Sequence, residues 1–96
     1  MRLELTKRTG DAIRMLMYLT EVPVGERRTS TEISSAAGVT KGNVPTLVAA
    51  LSRAGLLDCV RGRGGGCALG RPAEEISIAE VVVAIEGSLE PEHRQH

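Results

Sequence analysis

Apolar residues recur three or four positions apart in several stretches of the chain, the spacing that gives a helix one apolar side. The first stretch predicts a helix over residues 9 to 21, followed by a loop at Pro23 and Gly25. Its apolar positions are Ala12, Ile13, Leu16, Met17 and Leu19.

The next stretch, "TSTEISSAAGV", predicts a helix of about eight residues. Thr29 or Ser30 is its expected cap, and Glu32 stands at capping-box distance from Thr29. Gly38 is expected to end it in a left-handed conformation, and Val39 to pack against the core.

The third stretch predicts a helix over about residues 42 to 54, ended by Gly55. Thr40 and Asn43 are both candidate caps, and Pro45 fits only in the first turn because it has no N–H. Its apolar side comprises Val44, Leu47, Val48 and Leu51.

Two extended runs, "LLDCV" and "CALG", flank a glycine-rich segment and predict a β-hairpin. A last helix follows, with Ser77 as cap, Glu80 completing the capping box and Gly87 at its end. We expect residues 90–96 to be a disordered polar tail.

The order helix, helix, helix, hairpin, helix predicts a mainly α fold with a small β-hairpin, a winged helix-turn-helix over residues 1–89. A generic helical bundle with a hairpin is the alternative. Tyr18 is the only aromatic residue, so the core must be aliphatic, which favours packed helices. No apolar run approaches the roughly 20 residues of a membrane helix and no signal peptide is evident, so we expect a cytoplasmic protein without membrane contacts.

The formal net charge of zero conceals an uneven distribution. Residues 1–73 carry eleven Lys/Arg and six Asp/Glu, whereas residues 74–96 carry one Arg and six Glu. A basic body is compatible with a polyanionic partner, because local potential governs association. Unevenly scattered surface charge explains the same numbers equally well.

The segment "CVRGRGGGC", residues 59–67, allows three hypotheses: a nucleotide loop, a metal or redox clip, or a DNA-contacting wing. A phosphate loop requires a Gly-Lys-Ser/Thr ending that is absent, so no nucleotide-dependent enzyme is predicted. Two cysteines are too few for structural zinc, which needs about four ligands. In a reducing compartment Cys59 and Cys67 are expected as free thiols packed on the hairpin, although an odd-numbered loop would place them opposite each other, where a disulfide is possible.

Glycine and arginine suit a wing. Gly64 and its neighbours permit tight turns with positive φ, while Arg61 and Arg63 can bind phosphate or a narrow minor groove. On the third helix, Lys41 can contact phosphate or guanine, Asn43 can pair with adenine or cap the helix, and Thr46 can contact phosphate or a thymine methyl. Lys7 and Arg8 are further candidates for backbone contacts, or else solvated charges.

The segments "AIRMLMYL", "STEISSAAGVTKGNV" and "VRGRGGG…LGRPAEEISIAEVVVAIEG" resemble the Rrf2 family of bacterial winged-helix regulators, which includes an iron–sulfur regulator and a nitric-oxide-sensing repressor. The resemblance covers about residues 1–89. It implies a homodimer on a palindromic DNA operator, with Lys41, Asn43 and Thr46 on the major-groove helix and Arg61 and Arg63 on a minor-groove wing.

The family pattern continues with three clustered cysteines that hold an iron–sulfur cluster, and then a long dimerisation helix. No cysteine follows Cys67, and Cys59 and Cys67 do not match those ligands, so we expect no cofactor and no metal. Thiol sensing by Cys59 and Cys67 is an alternative to simple packing.

These features together predict a DNA-binding transcriptional repressor without enzymatic activity. The alternative is a protein-interaction module that dimerises with a full-length relative without binding DNA. It is suggested by the apolar run "VVVAI", which exceeds what one core-facing side requires.

Overall fold

A computed structural model describes residues 6–88 of the chain. Its elements follow the predicted order of three helices, a two-stranded antiparallel hairpin and a last helix, which confirms the winged helix-turn-helix. They are α1 (Lys7–Thr20), α2 (Ser30–Ala37), α3 (Val44–Arg53), β1 (Leu57–Val60), β2 (Gly66–Leu69) and α4 (Ile78–Ser88), with 3₁₀ turns at Lys41–Asn43 and Ala73–Glu75.

Local capping sets the ends of the first two helices. The Thr6 hydroxyl accepts a hydrogen bond from the Thr9 N–H, so α1 begins two residues before the predicted start. At α2 the predicted capping box is confirmed: Thr29 Oγ1 accepts from the Glu32 N–H at 3.1 Å, and Glu32 accepts from the Thr29 N–H at 2.8 Å. Gly38 ends α2 with φ +72°, as predicted.

The entrance to α3 differs from the prediction. A 3₁₀ turn precedes the helix, so the regular α-helix starts at Val44 instead of residue 42, with Pro45 in its first turn. Neither Thr40 nor Asn43 makes a side-chain capping bond, and the Asn43 N–H is satisfied by the Thr40 carbonyl at 2.9 Å. The side-chain amide of Asn43 is therefore available to another partner.

The core is aliphatic and lies where α1 packs against α2 and α4, and α3 packs against α4 and β1. Val39 is buried as predicted, whereas Met17 is 62% exposed and lies outside the core. The buried apolar residues are Ala12, Met15, Leu16, Leu19, Ile33, Val39, Val44, Leu47, Ala50, Leu51, Leu56, Leu57, Cys67, Val81 and Ile85.

A third chain segment joins the hairpin. Arg28, just before α2, pairs with Cys67 of β2: its N–H donates to the Cys67 carbonyl at 2.9 Å, and its carbonyl accepts from the Cys67 N–H at 2.8 Å. The sequence pattern did not predict this bridge. Because β1 pairs with the other edge, β2 is hydrogen-bonded on both sides, whereas the last three residues of β1 are exposed.

The predicted capping box at the start of α4 is confirmed. Ser77 Oγ accepts from the Glu80 N–H at 3.1 Å, and Glu80 accepts from the Ser77 N–H at 3.0 Å. The two terminal nitrogens of the Arg71 guanidinium each donate to a Glu80 carboxylate oxygen at 3.0 Å, which links the end of the hairpin to α4. The predicted helix end at Gly87 is wrong, because α4 continues through Gly87 to Ser88. The predicted tail, residues 90–96, lies outside the described residues.

This ion pair makes stability depend on pH. The hydrogen bond from Arg71, followed by that from the Ser77 N–H, lowers the pKa of Glu80. The ionised Glu80 carboxylate therefore contributes its full stability above the pKa of about 4.3 that it has in the unfolded chain. This stability is lost as the pH falls through the lower pKa that Glu80 has in the folded chain. Glu80→Gln should lower the urea midpoint modestly at about pH 7, and by less as the pH is lowered below about 4. An equal decrease in the urea midpoint at neutral and at acidic pH would contradict a stabilising role of the Glu80 charge.

Candidate nucleic-acid interface

The start of α3 presents polar side chains to solvent. Val44, Leu47 and Leu51 are buried against the core, and this fixes the rotation of the helix. Asn43 and Thr46 consequently lie on the outer side with Lys41 in the preceding turn, and all three are exposed. The structure thus places the three predicted α3 contacts within one and a half helical turns.

The start of α1 contributes to the same surface. A groove of about 390 Å³ is lined by Lys7 and Arg8 of α1 together with Asn43 and Thr46 of α3. Sequence alone could name Lys7 and Arg8 as charged residues, but only the packing of α1 on α3 brings them beside Asn43. Arg61 and Arg63 of the wing do not line this groove.

Asp11 at the floor of this groove orders the nearby cations. Its carboxylate is 2% exposed and accepts from Lys7 Nζ at 3.3 Å and from the Arg14 guanidinium. Arg14 also donates to the Ala37 carbonyl at 3.2 Å, linking α1 to the end of α2. A buried carboxylate shared by two cations stabilises the junction that carries the helix-turn-helix.

The wing loop, residues 61–65, carries Arg61 and Arg63, both exposed. Most of the other arginines in the described part of the chain bond to neighbouring residues; for example, Arg27 pairs with Asp58 at 3.0 Å. Within residues 6–88, by contrast, Arg61 and Arg63 make no ion pair, and the same holds for Lys41. Unpaired guanidinium groups on an exposed turn remain available to an external anion.

Glycine is required around the wing loop. Gly62 and Gly64 have φ of +92° and +76°, which confirms the predicted positive-φ turns. At Gly65 a Cβ would lie 2.2 Å from the Val60 carbonyl oxygen, and at Gly66 it would lie 2.7 Å from that of Arg28. The exposed Gly64 has open space around it, so only its backbone conformation demands glycine.

The cysteines depart from the expectation of free thiols. Cys59 and Cys67 are directly opposite in the ladder, with 4.1 Å between their Cα atoms, and are joined by a disulfide. The physical reason is the register: because the N–H and carbonyl of Cys67 bond to Arg28, Cys59 and Cys67 form a non-hydrogen-bonded pair, whose side chains lie closest. Cys67 is 5% exposed, whereas Cys59 is exposed.

Residues 5–96 match the Rrf2 family, described as "Iron-dependent Transcriptional regulator". The chain belongs to the Rrf2 family. This membership confirms the predicted family and the expectation of a regulator rather than an enzyme.

Solved structures of Rrf2-type proteins share the fold. CymR (YrzC) of B. subtilis, "the Global Cysteine Regulator", superimposes with a TM-score of 0.80 at 21% identity over 94% of this chain and 70% of its own. T. potens IscR superimposes with a TM-score of 0.79 at 24% identity, over 90% of this chain and 63% of its own. The oxidized form of Staphylococcus aureus CymR superimposes with a TM-score of 0.77 at 25% identity, over 96% of this chain and 77% of its own. The chain therefore spans 63% of the length of the IscR structure and somewhat more of the CymR structures.

The family description implies iron, but the described part of the chain does not fit an iron site. Residues 6–88 contain no group of three His, Cys, Asp or Glu side chains placed to hold a metal ion. The sulfurs of Cys59 and Cys67 are bonded to each other and so offer no thiolate. In the same residues, no helix is long and apolar enough to cross a membrane.

Proposed function

We propose that the chain binds a double-stranded DNA operator and represses transcription. The observation that carries the proposal is the position of three cations that make no ion pair within residues 6–88: Lys41 lies in the turn that leads into α3, and Arg61 and Arg63 lie in the wing loop. Phosphate neutralisation by such side chains supplies most of the affinity of DNA-binding proteins. The Rrf2 membership supports the regulatory role.

In this proposal the start of α3 enters the major groove. Asn43 pairs with an adenine, Thr46 contacts a thymine methyl or a phosphate, and Lys41 contacts guanine or phosphate. Arg8 adds a backbone contact from the α1 side of the groove, because it lies beside Asn43 and Thr46 there.

The wing supplies the second contact. Arg61 and Arg63 bind the sugar-phosphate backbone or enter the minor groove. Gly64, with its positive φ, allows the chain to turn tightly from Arg63 back towards β2. We further propose that two chains bind a palindromic site as a homodimer in the cytoplasm, and that residues 6–88 hold no cofactor. The family resemblance supports the operator-bound homodimer, and among residues 6–88 the lack of a group of side chains that could hold a metal ion supports the absence of a metal cofactor.

Substitution of Asn43 distinguishes a role in contacting a DNA base from a role in capping α3. Because its side chain makes no capping bond, Asn43→Ala should leave the unfolding free energy within about 0.5 kcal/mol of the parent and should reduce discrimination between operator and unrelated DNA by about 1–3 kcal/mol. Gel-shift titrations with both DNAs and thermal unfolding measure the two effects.

The control is Thr29→Ala, which removes a capping bond on α2 and should lower stability by about 1 kcal/mol without altering sequence preference. If Asn43→Ala loses stability as Thr29→Ala does and retains its discrimination, Asn43 has a structural role only.

A second function, dimerisation with a full-length relative without DNA binding, is favoured by one observation. Val81 and Ile85 of α4 lie in the core, but Val83 is 70% exposed and Ile78 is 54% exposed. Analytical ultracentrifugation with and without a duplex distinguishes the two functions. A stable dimer that never shifts DNA at low salt supports the interaction function, and a DNA-dependent increase in mass supports the operator function.

A further inference from the structure

The root of the wing is closed by a covalent bond. The ladder pairs run Leu57↔Leu69, Asp58↔Ala68, Cys59↔Cys67 and Val60↔Gly66, so the disulfide is one pair away from the arginine-bearing loop. Beyond it, three described contacts hold this end of the hairpin: the Val60–Gly66 pair, the bond from the Gly65 N–H to the Gly62 carbonyl at 2.8 Å, and the Arg27 guanidinium, which donates to the Gly66 carbonyl. The disulfide is the covalent constraint nearest to Arg61 and Arg63.

The two strands are anchored unequally without that bond. β2 is held by the Arg28–Cys67 hydrogen bonds and by the burial of Cys67. On β1, Cys59 and Val60 are exposed, the latter to 48%. Breaking the disulfide would leave the outer half of β1 and a loop rich in glycine with few contacts to fix them.

The position of the sulfurs makes the bond chemically addressable from one side. Cys59 Sγ is at the surface, with Ser52 Oγ of α3 at 3.6 Å, whereas Cys67 is buried. An incoming thiolate therefore reaches Cys59 first, and Cys67 leaves as the thiolate. The Ser52 hydroxyl can donate a hydrogen bond to Cys59 Sγ when that sulfur carries negative charge.

We propose that Cys59 and Cys67 form a reversible dithiol–disulfide switch that orders the wing and thereby raises the affinity for DNA. The proposal rests on the proposed DNA-binding function. The oxidant is a small-molecule disulfide, R–S–S–R. The Cys59 thiolate attacks it, forming Cys59–S–S–R and releasing RS⁻; the Cys67 thiolate then attacks the Cys59 sulfur, forming the internal disulfide and releasing the second RS⁻.

The oxidised form binds DNA more tightly because the loop is ordered before binding. In the reduced form the ordering of Arg61 and Arg63 is completed only on the DNA, and this loss of conformational freedom weakens association. We expect reduction to weaken binding about tenfold. The oxidised form is expected to bind more tightly because its disulfide holds Arg61 and Arg63 in place before DNA is bound.

The experiment measures the fluorescence anisotropy of a labelled AT-rich duplex at low salt, titrated with the full chain after treatment with oxidised glutathione or with dithiothreitol. Intact mass establishes each state, since the internal disulfide removes two hydrogen atoms and adds no glutathione. Cys59→Ser/Cys67→Ser is the matched variant. It should bind like the reduced parent chain and ignore dithiothreitol.

Equal affinity of the oxidised and reduced parent chain would overturn the switch while leaving DNA binding intact. A stable glutathione adduct on Cys59 without internal disulfide formation would overturn it as well. If neither state binds the duplex at low salt, the proposed function fails and the switch fails with it. A weakening on reduction that the double variant reproduces supports the proposal.

Discussion

Replacing both Arg61 and Arg63 with alanine is expected to weaken DNA binding about 10- to 100-fold at low salt. The two guanidinium groups make no ion pair within residues 6–88, so their removal takes little from the fold and two cations from the interface. Each lost phosphate contact should also reduce the slope of log K against log salt concentration by about 0.9. The measurement is a series of binding isotherms at increasing salt, with thermal unfolding to verify the fold.

The matched control is Arg61→Lys/Arg63→Lys, which keeps both charges but removes the planar fork. If the wing contacts phosphates alone, the lysine variant retains the salt slope and most of the affinity; if it enters the minor groove, affinity falls although the slope is kept. An alanine variant with unchanged affinity and slope would contradict the assignment of the wing.

Gly66→Ala is expected to destabilise the fold by about 2–4 kcal/mol. Gly66 has φ +128°, which L-residues rarely adopt, and an added Cβ would lie 2.7 Å from the Arg28 carbonyl oxygen. That oxygen accepts the Cys67 N–H, so relief of the clash separates β2 from the segment before α2. Urea unfolding measures the loss, and hydrogen exchange at the Cys67 N–H should become faster.

Gly64→Ala is the control for backbone conformation alone. Gly64 also has positive φ, at +76°, but an added Cβ meets nothing within 4 Å. Its expected loss is about 1–2 kcal/mol, without faster exchange at Cys67. Equal losses for the two alanine variants would show that the contact with Arg28 is unimportant.

Local signals in the sequence were sufficient for most of the fold. The Thr29–Glu32 and Ser77–Glu80 capping boxes and the left-handed Gly38 depend on residues within three or four positions, and each is confirmed. The hairpin followed from two short apolar runs around glycines. Gly87 was misassigned because a glycine near a helix end signals a stop only when its φ becomes positive, and α4 continues through it.

Features that depend on distant residues were not predictable in the same way. The Arg28–Cys67 bridge joins segments 39 positions apart through backbone atoms, which leave no side-chain pattern. The disulfide was not predicted because free thiols were expected in a reducing compartment. The sequence alone placed Cys59 opposite Cys67 only on the condition of an odd-numbered loop, and the structure meets that condition. The groove shared by Arg8 and Asn43 exists only after α1 packs near α3.

The central claim is that DNA is bound by the start of α3 and by the wing, and titrating ¹⁵N-labelled chain with a short duplex at low salt tests it most directly. The account predicts amide shift changes concentrated at residues 41–46 and 61–66, with smaller ones at Arg8. Changes confined to α4 around the exposed Val83, with residues 61–66 unaffected, would contradict it.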